Sequence, residues 1–189
     1  MAFHQNDSVD TSKLILGNYK IETAAYASAA GSFTWVNMGA GMVNAFGHTP
    51  TKYDVQSGNA PDPIEGVADE VFTVDMELIE FDASVLSAAT GGMMTADTTT
   101  SSVLTTINIG GNQVITPRGF RLTNRRLISG ATKETIITIF YATMDSGLQV
   151  TAKSDNDADP INVMPINITG KNDSTRTVGS QLVSITKTV

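Results

Sequence analysis

The sequence predicts a mainly β protein, a sandwich or barrel with one short flanking α-helix and a long loop. Residues 72–78 alternate apolar and polar side chains, which is the period of a strand with one buried face. Several other short apolar runs lie between Gly, Pro, Asn and Asp residues, as strands do. A helical spacing appears only at residues 85–89, between Asp82 and the glycines Gly91 and Gly92, which are typical capping residues.

Composition and charge limit the functions open to the chain. With 189 residues it fits one domain, at residues 14–189, after a flexible N-terminal arm at residues 1–13. Only 16% of residues are charged, which suits a surface covered by neighbours and also fits a monomeric β-sandwich. The net charge of −7 disfavours binding to nucleic-acid phosphates, and the absence of cysteine excludes thiolate chemistry. We see no signal peptide or membrane span, and therefore expect synthesis and first use in a cytoplasm without membrane contact.

The first part of the domain predicts two strands and then a long loop. The strands are expected at residues 14–21, interrupted at Gly17-Asn18, and at residues 32–38, with Trp35 in the core. Residues 39–69 are rich in Gly and Pro and predict a loop far longer than most. Its apolar side chains predict that it becomes ordered against another molecule, or alternatively that it folds back on its own domain. The candidate contact residues are Met42, Val43, Phe46, Tyr53 and Ile64.

The second half of the chain predicts further strands. A hairpin at residues 103–117 is expected to turn at Gly110-Gly111, followed by a strand at residues 118–128. The segment 135–143 is apolar on both faces, which predicts cover by the core on one side and by another layer or subunit on the other. Pro165 places its strand at a sheet edge. On the segment 135–143, Ile136 and Phe140 are assigned to one face and Ile137, Ile139 and Tyr141 to the other, and the latter three are candidate inter-subunit residues.

Four arginines, which are a third of the Lys and Arg of the chain, lie in the strand at residues 118–128. They are open to three interpretations: a nucleic-acid patch, a solvated face, or partners for the acidic residues of a neighbouring subunit. The acidic net charge and the lack of interleaved aromatic residues put nucleic acid last. Arg121 and Arg125 are therefore the candidate inter-subunit cations.

The sequence offers no catalytic, cofactor or metal site. His4 and His48 lie near no plausible nucleophile, and phosphate-binding or hydrolase motifs are missing. Asp155, Asp157 and Asp159 have calcium-loop spacing, but Pro160 and Ile166 occupy the positions where an EF-hand needs Gly and Glu. Asp75 and Glu77 fit the solvent side of their strand better than a glycosidase pair. We therefore expect a protein that is not an enzyme and binds no cofactor.

The order of these segments resembles the major tail tube proteins of long-tailed, siphophage-like bacteriophages. The matching features are Trp35 with Gly39, the long loop, Glu80 at the end of a strand, and the short helix at residues 86–91. The resemblance covers residues 14–92 and, beyond them, only a succession of strands. It implies a β-sandwich with a flanking helix.

The resemblance also implies a function. Subunits of that family form hexameric rings that stack into a hollow tube around the tape measure protein, and phage DNA passes through the lumen without specific binding. Tail terminator and tail-tip proteins would be further partners, in the virion tail and, during assembly, in the host bacterial cytoplasm. Residues 39–69 would lie between rings, and Asp75 and Glu77 are the candidate lumen-facing acids. The alternative is a non-enzymatic β-sandwich binding module, such as a capsid decoration protein or a surface adhesin.

Overall fold

A computed structural model describes residues 18–55, 64–81, 83–97, 106–111, 114–128, 131–145 and 163–188. These residues form nine strands and one short helix, so the predicted mainly β class is confirmed. The elements are β1 Asn18–Ala25, β2 Val36–Val55, β3 Ile64–Phe81, α1 Ala83–Ala89, β4 Met94–Asp97, β5 Thr106–Ile109, β6 Arg118–Ile128, β7 Ala131–Met144, β8 Met164–Lys171 and β9 Val183–Lys187.

Seven strands form one antiparallel sheet in the order β6-β1-β2-β3-β8-β7-β9. β6 also pairs with β7, so six of the strands close into a barrel. β8 pairs with β7 at residues 142–144, and β9 pairs with β7 at residues 135–139, so both lie along β7. Closure leaves the barrel strands few unpaired edges.

The core fills this barrel. Phe72, Val74, Met76 and Leu78 are at most 3% exposed, which confirms the alternation predicted for β3. β6 and β7 contribute Phe120, Leu122, Ile137 and Ile139, which are fully buried. The predicted inter-subunit role of Ile137 and Ile139 is therefore wrong, because both side chains pack inside their own protomer.

The helix α1 packs against β4 and against β1 and β2, with Leu86 and Ala89 in the core. Gly91 and Gly92 have φ values of 63° and 102°, as a left-handed helix end requires, which confirms the predicted C-terminal cap. A Cβ atom on Gly91 would collide with the carbonyl oxygen of Thr116. Asp82, the predicted N-cap, lies outside the described residues.

Within the described residues of segment 103–117, the predicted hairpin is not formed. β5 pairs with β4 instead, and residues 114–117 are not a strand. Gly110 and Gly111 do have left-handed φ values, of 108° and 86°. The chain beyond them runs to the end of α1, where the Thr116 N–H donates to the Gly91 carbonyl at 2.9 Å. Docking on the helix end therefore replaces the expected strand pairing.

Other element boundaries also differ from the predictions. The irregularity in β1 falls between Ile21 and Glu22, while Gly17 lies outside the described residues. The second strand begins at Val36. β8 lies between β3 and β7 and is not an edge strand. Its Pro165 is tolerated because it lies opposite Glu77 of β3, in a part of β8 that β7 does not pair with.

The connection between β1 and β2, residues 26–35, covers the outer face of β6 and β7. The Phe33 ring packs on Gly119, where a Cβ atom would collide with it. The ring of Tyr26 meets that of Tyr141 edge-to-face, with centroids 5.1 Å apart. The predicted core position of Trp35 is wrong, because this ring is half-buried and stacks on Phe33 at 4.9 Å.

The second apolar face of β7 is thus covered by its own chain. The Arg176 guanidinium lies 3.9 Å from the centroid of the Phe140 ring, a cation–π contact. Tyr141 shares the outer side with Phe140 because the register of β6 and β7 shifts near Phe120. Tyr141 has a partner ring within its own chain, and its role as an inter-subunit residue stays a prediction.

Asp173 holds this covering segment in place. Its side chain is buried and accepts hydrogen bonds from the Tyr26 hydroxyl at 2.8 Å, the Thr175 hydroxyl at 2.7 Å and Arg176 Nε at 3.0 Å. Burial by itself raises the pKa of the Asp173 carboxyl. The hydrogen bonds and the Arg176 charge outweigh burial, so the pKa lies below its usual value.

We expect Asp173→Asn to lower the free energy of unfolding at neutral pH by about 2–4 kcal/mol, because Arg176 loses a buried partner. A lowered folded-state pKa means that the stabilisation is complete above the unfolded value near 4 and is lost as the pH falls towards the folded value. Urea unfolding between pH 2.5 and 7 measures this. Asp145→Asn, at an exposed site, is the control. Equal pH dependence in the two variants would contradict the role of Asp173.

Candidate assembly surfaces

β2 and β3 form one long antiparallel hairpin, so the prediction of a loop at residues 39–69 is wrong. Their pairing runs from Gly39 opposite Phe81 to Val55 opposite Ile64. Three register shifts interrupt it, between Ala40 and Gly41, between Val43 and Ala45, and between Thr51 and Lys52. Each shift adds an unpaired residue and increases the local twist.

The far part of this hairpin projects beyond the barrel. The last pair of β2 with β1 is at Met42, and that of β3 with β8 is at Val71. Residues 50–55 and 64–70 therefore pair only with each other within the described parts of the chain. We call these two segments the extension.

The extension has almost no support of its own. None of its described side chains is buried, and Tyr53 and Val67 are 50% and 51% exposed. The Tyr53 ring packs on Gly66, where a Cβ atom would collide with it. A two-stranded ribbon is marginally stable in water, and its free edges can pair with another chain. The extension thus has the properties of a surface that is completed by a partner.

The five predicted contact residues all lie on this hairpin. Tyr53 is in the extension, and Met42 and Phe46 are 41% and 36% exposed nearer the barrel. Val43 is 8% exposed and belongs to the core, so its predicted contact role is wrong. The backbone of Ile64 pairs with Val55, and its side chain lies outside the described part.

The extension is acidic. It carries four carboxylates and one lysine, which are Asp54, Glu65, Asp69, Glu70 and Lys52. Lys52 Nζ lies 3.3 Å from a Glu65 carboxylate oxygen, but both side chains are mostly exposed, so the ion pair adds little stability. The excess of negative charge favours a cationic partner.

A shallow groove of about 370 Å³ lies at the base of the extension. On one side His48 Nε2 lies 3.2 Å from a Glu70 carboxylate oxygen. On the other side Val178 and Ile185 expose 88% and 53% of their surface. The groove combines apolar walls with one polar pair, a composition typical of ligand sites.

Asp75 and Glu77 lie on the outer face of β2, β3 and β8. Asp75 is exposed opposite Ala45 and Asn167, and Glu77 is half-buried opposite Met42 and Pro165. The residues directly opposite Asp75 and Glu77 in the neighbouring strands therefore include no cation. The two carboxylates therefore add negative charge to this face.

Unlike the face that carries Asp75 and Glu77, the outer face of β1, β6 and β7 contains several ion pairs. Arg121 Nε lies 2.7 Å from a carboxylate oxygen of the buried Glu22, and Lys20 Nζ lies 2.7 Å from the other. Burial raises the pKa of Glu22, but the two hydrogen-bonded cations outweigh it and lower the pKa overall.

The two arginines predicted to pair between subunits find partners in their own chain. Arg121 pairs with Glu22 and also lies 4.8 Å from the centroid of the Trp35 ring. Arg125 Nε lies 2.6 Å from a Glu134 carboxylate oxygen. A neighbouring subunit is therefore not needed to neutralise either charge.

An exposed apolar patch lies at the opposite end of the barrel from the extension. β3 ends beside the start of β2, which places α1 at that end. The patch adjoins the end of α1, where Ile115 reaches Gly91. It consists of Ile109, Val114 and Ile115, which are 62%, 72% and 40% exposed.

The described residues contain no group of three side chains able to hold a metal ion. Asp155, Asp157 and Asp159 lie outside them. Within the same described ranges, no helix is long and apolar enough to cross a membrane.

No known family model and no curated protein matches the chain. Among solved structures, it is similar to one titled "Crystal structure of Hcp protein", with 9% sequence identity and a TM-score of 0.33. That match covers 91% of this chain and 99% of the other. At this level of similarity, function must be inferred from the residues of the chain itself.

Proposed function

We propose that the protein is a structural subunit that assembles into stacked hexameric rings and so forms the hollow tail tube of a long-tailed bacteriophage. The observation that carries this proposal is the extension, a projecting two-stranded ribbon with exposed apolar side chains, whose edges pair with no other strand among the described residues. A ribbon of this kind is stabilised when another subunit covers it. The resemblance of residues 14–92 to tail tube proteins supplies the kind of assembly.

The two ends of the protomer carry different surfaces, and this supports stacking. The extension lies at one end of the barrel, and the patch of Ile109, Val114 and Ile115 lies at the other. Contacts between two different surfaces on opposite ends of a subunit are heterologous and do not close, so they generate open stacks. The extension of one ring and the apolar patch of the next are the proposed stacking surfaces.

The face that carries Asp75 and Glu77 is the proposed lumen wall. A negative wall repels phosphates, so DNA would pass through the tube without binding to it. The proposal places the protein in the virion tail, and in the cytoplasm of the host bacterium during assembly. Its further partners would be the tape measure protein, the tail terminator and the tail-tip proteins.

Negative-stain electron microscopy of the concentrated protein tests this proposal. We expect hollow tubes with a regular axial repeat, or six-fold rings seen end-on. Sedimentation velocity on the same samples should show assembly that increases with protein concentration. A protein that stays a discrete monomer or trimer, even when it is offered preformed tail tips, would contradict the tube.

A binding module is the second candidate, favoured by the groove between His48, Glu70, Val178 and Ile185. It would be a capsid decoration protein or an adhesin that uses this groove for a ligand. The expected result for this candidate is a discrete particle whose ligand affinity falls on Ile185→Asp. Tube formation that is unchanged by Ile185→Asp would favour the first candidate.

A further inference from the structure

β9 has one free edge within the described part of the chain. It is the last strand of the sheet and pairs with β7, at residues 135–139 of that strand. No other described strand pairs with it. Natural proteins usually protect such an edge with charge, proline or a covering segment, because unpaired backbone groups bind further strands. The edge of β9 is therefore a candidate binding surface.

The direction of the backbone groups of β9 follows from one hydrogen bond. The Thr188 N–H, directly after β9, donates to the Glu134 carbonyl of β7 at 2.8 Å. Residues that exchange backbone hydrogen bonds alternate along an antiparallel pair with residues that do not. Ser184 and Thr186 are therefore the residues of β9 that bond to β7. The residues whose N–H and C=O groups point away from β7 are Val183, Ile185 and Lys187.

The free edge opens onto the groove at the base of the extension. Val183 and Ile185 line this groove, and His48 and Glu70 of the β2–β3 hairpin line it from the other side. The described residues that line it include no lysine or arginine. The five residues of β9 span about 17 Å. The groove thus offers backbone hydrogen bonds and apolar contacts along its length, and not a site for an anion.

The side chains of β9 are divided between two faces. Ile185 lies opposite Ile137, which is fully buried, so its side chain is on the core side of the sheet. It is nevertheless 53% exposed, because the groove lies beside it. Ser184 and Thr186 are exposed on the outer side. An added strand would therefore place apolar side chains beside Ile185 and polar ones beside Thr186.

The groove also contains a buried acceptor without a donor. Asn172 lines the groove, and its Oδ1 atom is buried and has no hydrogen-bond partner among the described residues. Buried polar atoms are nearly always paired. A backbone N–H or a hydroxyl of a segment bound in the groove would supply the missing donor.

We propose that this groove is the docking site for an extended segment of a partner polypeptide, which adds to the free edge of β9 as an antiparallel strand. The antiparallel direction is that of the other pairs of this sheet, and it is the more stable one. This inference goes beyond the tube, and it names the class of ligand that the groove of the second candidate function would take.

A polypeptide strand is the best-matched occupant of the groove. Its backbone presents N–H and C=O groups at every second residue, as the edge of β9 does, so main-chain hydrogen bonds supply affinity. Its alternate side chains supply specificity, and those that face Ile185 are apolar. Nucleic acid is disfavoured, because the chain has a net charge of −7 and the groove has no lysine or arginine among its described lining residues.

A short synthetic peptide of alternating valine and threonine, with a lysine at each end and a fluorophore, is the probe. Fluorescence anisotropy should show that it binds. Methylating the backbone nitrogens of its valines removes the N–H groups that face β9, so the affinity is expected to fall by about tenfold or more. Methylating the threonine nitrogens leaves those N–H groups in place, and the affinity is expected to stay within about twofold.

A pair of variants tests the protein side of the contact. Ile185→Asp places a charge in the groove and is expected to lower the affinity for the unmodified peptide by about tenfold or more. Thr186→Asp places the same charge one residue away, on the outer face, and is the matched control. Both positions are exposed, so circular dichroism should show that both variants are folded.

Amide hydrogen exchange measured by NMR reports on the edge itself. In the unassembled protein the Ile185 N–H is expected to exchange fast and the Thr186 N–H slowly, because only the second is bonded to β7. The peptide should slow exchange at Ile185. Slow exchange at both residues before the peptide is added would mean that the edge is already covered, and would overturn the proposal.

The remaining outcomes separate this docking from the tube. Equal binding of the two methylated peptides, or equal losses in the two variants, would overturn the docking. A peptide that dissolves wild-type tubes would assign the edge to a second copy of this chain and overturn the separate partner. If tubes form and no peptide binds, only the docking is wrong. If the peptide binds and the wild-type protein never assembles, the docking holds and the tube is refuted.

Discussion

Replacing residues 50–70 by an Asn-Gly dipeptide is expected to give a folded monomer that forms no tubes. Thr49 and Val71 face each other at the point where the extension leaves the barrel. Two residues in a type I′ turn join such a pair without strain, and Asn-Gly favours that turn. None of the described side chains that are removed is buried, so the barrel core is kept. The variant loses the surfaces that we propose hold subunits together.

Sedimentation velocity and negative-stain microscopy measure the assembly of this variant, and thermal unfolding measures its fold. We expect a melting temperature within a few degrees of the wild type and an assembly constant lower by a hundredfold or more, the scale of losing a central hot spot. The milder double variant Tyr53→Ser with Val67→Ser should show a partial loss. Normal tubes from the shortened protein would show that the extension is not an assembly element.

The sequence predicts well those segments in which one regular period continues between clear ends. β3 shows this, since Phe72, Val74, Met76 and Leu78 alternate without a bulge and all four side chains are in the core. α1 is similar, because Leu86 and Ala89 form its buried side and Gly91 ends it. In both segments the local pattern and the tertiary environment agree.

The β2–β3 hairpin was mistaken for a loop for two physical reasons. The three register shifts add Asn44 to β2 and Ala68 and Ile79 to β3, so the period of two is interrupted once along β2 and at both ends of the regular part of β3. The extension also has no buried face in the protomer, so nothing selects apolar residues at alternate positions. Gly and Pro in this segment then suggested turns. Exposed polar residues such as Thr49 and Thr51 have no alternating apolar pattern, so the sequence does not indicate this hairpin.

The candidate contact residues were harder to assign, because the alternation along a strand does not identify which element or subunit covers each of its faces. The apolar outer face of β7 needs a cover, as predicted, but Tyr26 and Arg176 of the same chain provide it. Arg121 likewise meets Glu22, which is 99 residues away in sequence. Contacts over such distances depend on strand order, which periodicity does not determine.

Replacing Val74 by Asp is expected to abolish folding. Val74 is 1% exposed, in the middle of β3, where it lies opposite Phe46 and Ile168. No cation faces it from either strand, so an ionised carboxylate there would be buried without a partner. That costs several kcal/mol or more, which is comparable to the total stability of about 5–15 kcal/mol of a typical domain.

The matched control places the same carboxylate one residue away. Thr73 is exposed on the outer face of β3, so Thr73→Asp should keep the circular dichroism and melting behaviour of the wild type to within about 1 kcal/mol. Val74→Ala should lie between the two, with a loss of about 2–3 kcal/mol for the cavity it leaves. A soluble, cooperatively folded Val74→Asp protein would mean that this face of β3 does not line the core. The closed barrel, and with it the placing of Asp75 and Glu77 on the outer face, would then be wrong.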